Sequence, residues 1–206
     1  MPVELLLRRI AERYASIRSY ADRGVVTFDL QLSGGSIRTI KKPFKTAFIR
    51  PDRFRFEFTD RRPDGSQSRY IVWQNGSTVR TYWTIGPRIR DEPDLGMAIA
   101  GATGVSSGSA LTVPRLLLPE VMQGAWSLTD LQDVHLANDA TIVGLDRSGG
   151  TYTITIDPES LLIRRIAEKR PPDGPGVVDH LTTYDPYADL DVPAEDLEAS
   201  FPSAEA

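Results

Sequence analysis

The sequence predicts a mainly β fold with some helix, of the α+β class, and three observations carry that expectation. An N-terminal stretch spaces its apolar residues as a helix does, the segments after it alternate apolar and polar residues, and turn signals separate those segments. About ten strands joined by short turns make an antiparallel meander, and a sheet of that size curls strongly and leaves room inside for a ligand. The 206 residues suffice for one domain with a sizeable core, expected to span 1–206.

The first element is a helix. Val3, Leu6, Leu7, Ile10, Tyr14 and Ile17 recur at spacings of three and four among charged residues, so one stripe must be buried. Acidic residues in the stretch and the lack of a basic face favour packing on a sheet over lying on a membrane. After Gly24 the period becomes two: Val26, Phe28, Leu30 and Leu32 alternate with Thr27, Asp29 and Gln31, which makes a half-buried strand. Strands are expected next at 37–42, 44–50, 53–59 and 69–74, with "QNG" at 74–76 as a hairpin turn and "STVRTYWTIG" as its returning strand.

In "FIRPDRFRFEFTD", residues 48–60, Phe54, Phe56 and Phe58 share one face and Arg53, Arg55 and Glu57 the other, which is expected to lie outside. The phenylalanines line either an ordinary core or a cavity, and alternation alone does not choose between them. Residues 93–120 are almost uncharged and rich in Gly, Ala and Ser, with one short helix about Leu95, Ile99 and Ala102 and another from Ala110 to Leu118, started or kinked at Pro114. A linker would be more polar, so this stretch is expected to cover an apolar surface and, with its glycines, to be more mobile than the strands. Strand signals resume in "DVHLA", "ATIVGLDR", the hairpin "GTYTITIDPESLLIRRIAEKR" turning at Asp157–Ser160, and "GVVDHLTTYDPY" with Val177, Asp179, Leu181 and Thr183 on one side; an acidic tail, 188–206, is expected to be partly ordered.

Composition bounds the chemistry. With 24 basic and 28 acidic residues the net charge is −4, so no nucleic-acid partner is expected. There is no cysteine, which removes disulfides, thiolate metal sites and thiol nucleophiles. No apolar run reaches the ~18 residues of a membrane span. The start, "MPVELLLRRIAERY", lacks the pattern of a secretory signal, which leaves open a cytosolic protein or the mature part of an exported one. His135 and His180 have no second histidine at metal-ligand spacing, "GVSSGSA" is not a nucleophile elbow, and "GATGVSSG" lacks the Lys-Ser/Thr ending of a phosphate loop. The carboxylate pairs Asp91/Glu92 and Glu195/Asp196 fall in a loop and in the tail. No catalytic residue, metal or cofactor is expected, and the protein is not expected to be an enzyme.

The order of elements over residues 44–87 resembles the periplasmic lipoprotein carriers of the LolA family. The matching pieces are Arg50-Pro51-Asp52, the alternating Phe54/Phe56/Phe58, the strand Tyr70–Trp73, the turn Asn75-Gly76, and Tyr82/Trp83 leading to Pro87. The N-terminal helix ending in "YASIRSYADRG" and the "DPESLLIRRI" hairpin are also similar to this superfamily. The resemblance implies an incomplete, strongly curved antiparallel β-barrel with a helical lid at 94–118 over an apolar cavity. It implies lipid contact by Phe28, Phe48, Phe54, Phe56, Phe58, Trp83, Met97, Ile99, Leu116 and Leu117, and a lid-latching role for Arg50. The implied partners are lipid or lipoprotein acyl chains outside the cytoplasm. The alternative is an envelope sensor or interaction module that binds a protein, such as an envelope membrane protein, through the same fold.

Overall fold

The computed structural model describes residues 2–33, 35–62, 64–86, 88–170, 176–199 and 201. Pro87, the side chain of Val177, and tail positions 200 and 202–206 lie outside the described residues. The chain opens with α1 (Val3–Ser16) and lays down β1 (Ser19–Gln31), β2 (Ile37–Ile49), β3 (Arg53–Arg61), β4 (Gln67–Asn75), β5 (Thr78–Trp83) and β6 (Arg88–Asp91). Helices α2 (Leu95–Val105) and α3 (Thr112–Leu117) and a 3-10 turn (Leu128–Asp130) follow. Strands β7 (Gln132–Asn138), β8 (Thr141–Leu145), β9 (Thr151–Ile156), β10 (Ile163–Lys169) and β11 (Gly176–Ala188) return, and α4 (Ala194–Leu197) ends the described elements.

All eleven strands belong to one antiparallel sheet, ordered β6-β5-β4-β3-β2-β1-β11-β10-β9-β8-β7. Long β1 joins the two meanders by pairing with β2 on one side and β11 on the other. Strands β6 and β7 stand at the edges without pairing to each other, so the barrel is incomplete. Helices α1, α2 and α3 fill the concave side, and one continuous apolar core joins them to both halves of the sheet.

Local chemistry explains the elements. The six periodic apolar residues of the N-terminal stretch are all buried, five of them on α1. The Tyr14 hydroxyl accepts a hydrogen bond from the Ile163 N–H at 3.0 Å, which fixes the helix to the start of β10. Gly76 has φ of 60° in the β4–β5 turn, a conformation that costs glycine little. The Asp157 carboxylate accepts from the Ser160 backbone and hydroxyl at 2.8 Å, closing the β9–β10 turn.

Three features depart from the sequence expectation. Residues 37–49 are one strand rather than two: Pro43 pairs with Val25 of β1, while β3 begins its pairing with β2 only at Phe44, so the missing N–H costs no bond to β3. Strand β6 is a short charged edge that pairs with β5. Phe54, Phe56 and Phe58 do face the core, but the opposite face of β3 is not open to solvent: Arg55 is 3% exposed beneath the C-terminal segment, and Glu57 is buried among Arg55, Arg69 and Lys45.

Candidate functional site

The register of the sheet places inward residues in rungs across neighbouring strands. One rung runs Val26, Thr182, Ile166, Ile154, Ile142, and all five side chains are buried in the core. Two residues along each strand, on the same face, the next rung runs Phe28, His180, Glu168, Tyr152. The change from an apolar to a polar rung marks the end of the close-packed core. A cavity of about 390 Å³ opens there, with Phe28, Leu111, Trp126, Ile166 and Tyr184 as apolar wall and Asp146, Glu168, Arg170 and His180 as polar lining. Ser107, Gly108 and Thr112, in and beside the joint between α2 and α3, cover it.

The polar groups are tied to one another. Glu168 accepts from Arg170 Nε at 2.5 Å, and burial together with the Glu168 charge pushes the Tyr152 hydroxyl well above its usual range. His180 Nε2 is 2.8 Å from the Ser107 carbonyl oxygen; a carbonyl only accepts, so Nε2 carries the proton. Its Nδ1 lies 3.8 Å from Glu168. Burial holds the His180 imidazole below its usual range, with the Glu168 charge opposing that shift. Burial pushes the Asp146 carboxyl up, but bonds from Ser148 and Gly150 outweigh it and leave the group below the usual range. Trp126 stands 5.1 Å from Tyr152, ring centre to ring centre, and its buried Nε1 has no hydrogen-bond partner.

The helical segment over the cavity is held at both ends. Lys42 Nζ donates to the Val105 carbonyl at 3.1 Å, and His180 donates to Ser107 just beyond it, so two donors meet the carbonyl end of α2. Ser107 and Gly108, with φ of 56° and 80°, turn the chain there. At the far end Arg50 donates to the carbonyls of Ile17 (2.9 Å), Ala15 (2.8 Å) and Leu117 (2.5 Å) and pairs with Glu120 at 3.4 Å. One guanidinium thereby joins the ends of α1, β2 and α3.

Of the residues expected to touch lipid, Phe28 lines the cavity. Phe48, Phe54, Phe56, Phe58, Ile99, Leu116 and Leu117 are enclosed in the core against the helices, Trp83 is half-buried, and Met97 is 61% exposed. The cavity therefore lies beside the aromatic face, toward β9–β11. Its other walls, Leu111, Trp126, Tyr152, Ile166 and Tyr184, carried a signal in part: Tyr152, Ile166 and Tyr184 sit on the inward alternation of their strands. Among the described residues no group of three or more His, Asp or Glu side chains is placed to hold a metal ion, and no helix is long and apolar enough to cross a membrane.

Fold and site together define an open antiparallel barrel with a ligand-sized cavity beneath a jointed helical cover. No protein-family profile and no curated protein matches the sequence. Several solved structures are similar in fold. A domain named for outer membrane lipoprotein sorting, from Vibrio parahaemolyticus, aligns with a TM-score of 0.45 and 10% identity over 94% of this chain and 95% of that one. MucB in complex with MucA aligns at 0.40 and 11% over 97% of this chain, which spans 60% of the length of that MucB chain. A LolA superfamily protein from Nitrosomonas europaea aligns at 0.34 and 9% over 95% of this chain and 99% of that one.

Proposed function

We propose that the protein binds an amphiphile outside the cytoplasm, taking its apolar chain into the cavity beneath the α2–α3 joint and leaving its polar end among Asp146, Glu168 and Arg170. The observation that carries this reading is the pairing of an apolar wall with a polar rung in one cavity of about 390 Å³, a size within the range of small-molecule sites. Each methylene buried there contributes about 0.8 kcal/mol, so a chain of about six gains about 5 kcal/mol before the costs of association. Such binding needs no catalytic group. The sequence resemblance to lipoprotein carriers supports an acyl chain as the ligand and an extracytoplasmic location. A longer chain would extend from Phe28 toward Phe54, Phe56 and Phe58 once the 94–118 segment moves off them, which brings the wider set of sequence-chosen residues, and Arg50 as latch, into one site.

The test is titration of delipidated protein with a fluorescent fatty-acid analogue, alongside thermal unfolding. Leu111→Trp, which fills the cavity from the joint, should weaken uptake at least tenfold at an unchanged melting temperature. Arg165→Ala, on the exposed face of β10, should leave uptake unchanged. Wild-type protein that takes up no acyl probe, or a Leu111→Trp variant that binds as well as wild type, would overturn the reading.

A further inference from the structure

The face opposite the cavity is covered by a segment of the chain itself. The C-terminal segment crosses the convex side of β2–β5 and is held there mainly through its backbone. Arg55 Nη1 donates to the carbonyls of Glu195 (2.9 Å) and Glu198 (2.5 Å), with that of Asp196 at 3.4 Å. Trp73 Nε1 donates to the Leu197 carbonyl at 2.9 Å. The Phe201 ring stands edge-on to Trp73 and Tyr82, at 5.8 and 6.4 Å. Leu197 and Val192 sit in a small apolar cluster with Ala21 and Ala47, separate from the main core.

From this geometry we propose that the convex face is a docking groove for an acidic peptide of a partner protein, and that the chain's own C-terminal segment occupies it in cis. The required peptide has a leucine and an aromatic residue four positions apart with acidic residues around the leucine, as Leu197 and Phe201 stand among Glu195, Asp196 and Glu198. The groove carries more cations than carboxylates: Lys45, Arg55 and Arg69 surround Glu57, which Arg55 and Arg69 already satisfy, and Arg23 stands with Asp185 farther along the lining. Arg23 meets Asp196 at 3.8 Å. A guanidinium that collects carbonyls from one turn reads backbone shape rather than a particular side chain, so another peptide with the same turn fits it. The buried Arg55 also keeps one donor, Nε, without a partner. Beside the seated segment the groove continues for about 700 Å³ among Arg23, Lys45, Glu57 and Thr59, with room for a peptide longer than the one in place.

The same features make the segment detachable. Its apolar anchorage is a few side chains, and Arg55 regains water when the segment leaves. A tethered segment has an effective concentration of order millimolar, so a free peptide of equal affinity does not displace it, whereas a tighter partner does. The tail thereby sets a threshold for the partner. This inference is independent of the cavity and stands or falls apart from it.

The experiment uses the full chain and a labelled peptide of residues 189–201. Leu197→Asp combined with Phe201→Asp unseats the tail while leaving the groove intact. This double variant should bind the peptide at least tenfold more tightly than wild type does, with affinity falling as salt rises, and Trp73→Ala in the same background should abolish binding. A folded double variant that binds no peptide, or binds it no better than wild type, overturns the proposal. Wild type that forms a dimer dispersed by the peptide also overturns the cis assignment, since the occupant is then a second copy's tail. Hydrogen exchange on wild type serves if the double variant does not fold: residues 192–199 should open at least a hundredfold faster than β3, and exchange as slow as that of β3 overturns detachment.

Discussion

His180 on β11 and Ser107 at the α2–α3 joint are joined by a 2.8 Å hydrogen bond from Nε2–H to the carbonyl oxygen. The bond spans 73 residues of sequence and fixes both the tautomer of the imidazole and the position of the cavity's cover. Lys42 holds the neighbouring Val105 carbonyl, so the joint has two attachments on two strands.

His180→Ala should therefore free the joint without unfolding the sheet. Hydrogen exchange over residues 105–112 should quicken about tenfold, the equivalent of losing roughly 1.4 kcal/mol of local stability. The pH dependence has a defined sign. Because burial lowers the folded-state pKa, the unfolded chain binds the proton more readily between that value and the usual ~6.5, so stability falls as pH drops below ~6.5. The groups that face the ring are Glu168 and, beyond it, Arg170, whose charges oppose each other. Urea titrations at pH 7 and 5 should show wild type losing more stability than His180→Gln; equal losses would refute a role for this imidazole.

Asp22 gives the opposite slope. It is 1% exposed, accepts from the Tyr20 hydroxyl at 2.7 Å and the Thr46 N–H at 3.0 Å, and burial raises its pKa to about 6 in spite of those bonds. The folded state then binds the proton more tightly than the unfolded chain, so stability is fully present below about pH 4 and declines as pH rises toward 6, by about 3 kcal/mol. Asp22→Asn keeps an oxygen for Thr46 and offers an N–H to the tyrosine oxygen. It should raise the melting temperature at pH 8 and flatten the profile between pH 4 and 7. A variant less stable than wild type at pH 8 would show that the carboxylate is better accommodated than its burial implies.

Gly24 should be irreplaceable. A Cβ there would stand 2.3 Å from the Phe44 ring and 2.4 Å from the Thr183 carbonyl oxygen, and the second contact is backbone of the paired strand β11. Gly24→Ala is expected to cost about 3 kcal/mol, as overpacking against an unyielding neighbour does. Guanidinium unfolding checks it, and a loss under 1 kcal/mol would mean that β1 and β11 separate more easily than their register indicates.

The order of elements was legible because each changes the hydrophobic period or carries its own turn chemistry: the six apolar residues of the N-terminal stretch, the glycine of Asn75-Gly76, the Asp157 turn. The cavity was not. Along β11 the inward residues His180, Thr182 and Tyr184 keep a period of two across the boundary between core and cavity, and only the position of the joint above them decides which side chain is enclosed and which lines space. Burial of Arg55 was equally hidden. Alternation correctly sets it opposite Phe54 and Phe56, but no local pattern signals that the chain returns about 140 residues later to cover it. Strand β6, "RIRD", is short, charged and on an edge, where neither face imposes a pattern.

Arg50 supplies the last prediction, because its three carbonyl acceptors lie at the ends of two different helical segments, α1 and α3. Removing it leaves the carbonyls of Ala15, Ile17 and Leu117 without this donor, and a charged hydrogen bond of this kind contributes about 1.5–3 kcal/mol. The side chain is partly exposed, so water replaces some of the loss, and Arg50→Ala should cost about 2 kcal/mol globally. Arg50→Lys should recover little of it, since one ammonium on a flexible stem does not reproduce a planar fork aimed at three oxygens. The local signature discriminates a latch from a mere strut. If Arg50 holds the cover, exchange in α3 quickens more than in α2, whose end remains fixed by Lys42 and His180, and combining Arg50→Ala with His180→Ala releases both helices together. Uniform quickening of the strands and helices in the single variant would instead make Arg50 a part of the general scaffold, with no particular hold on the segment above the cavity.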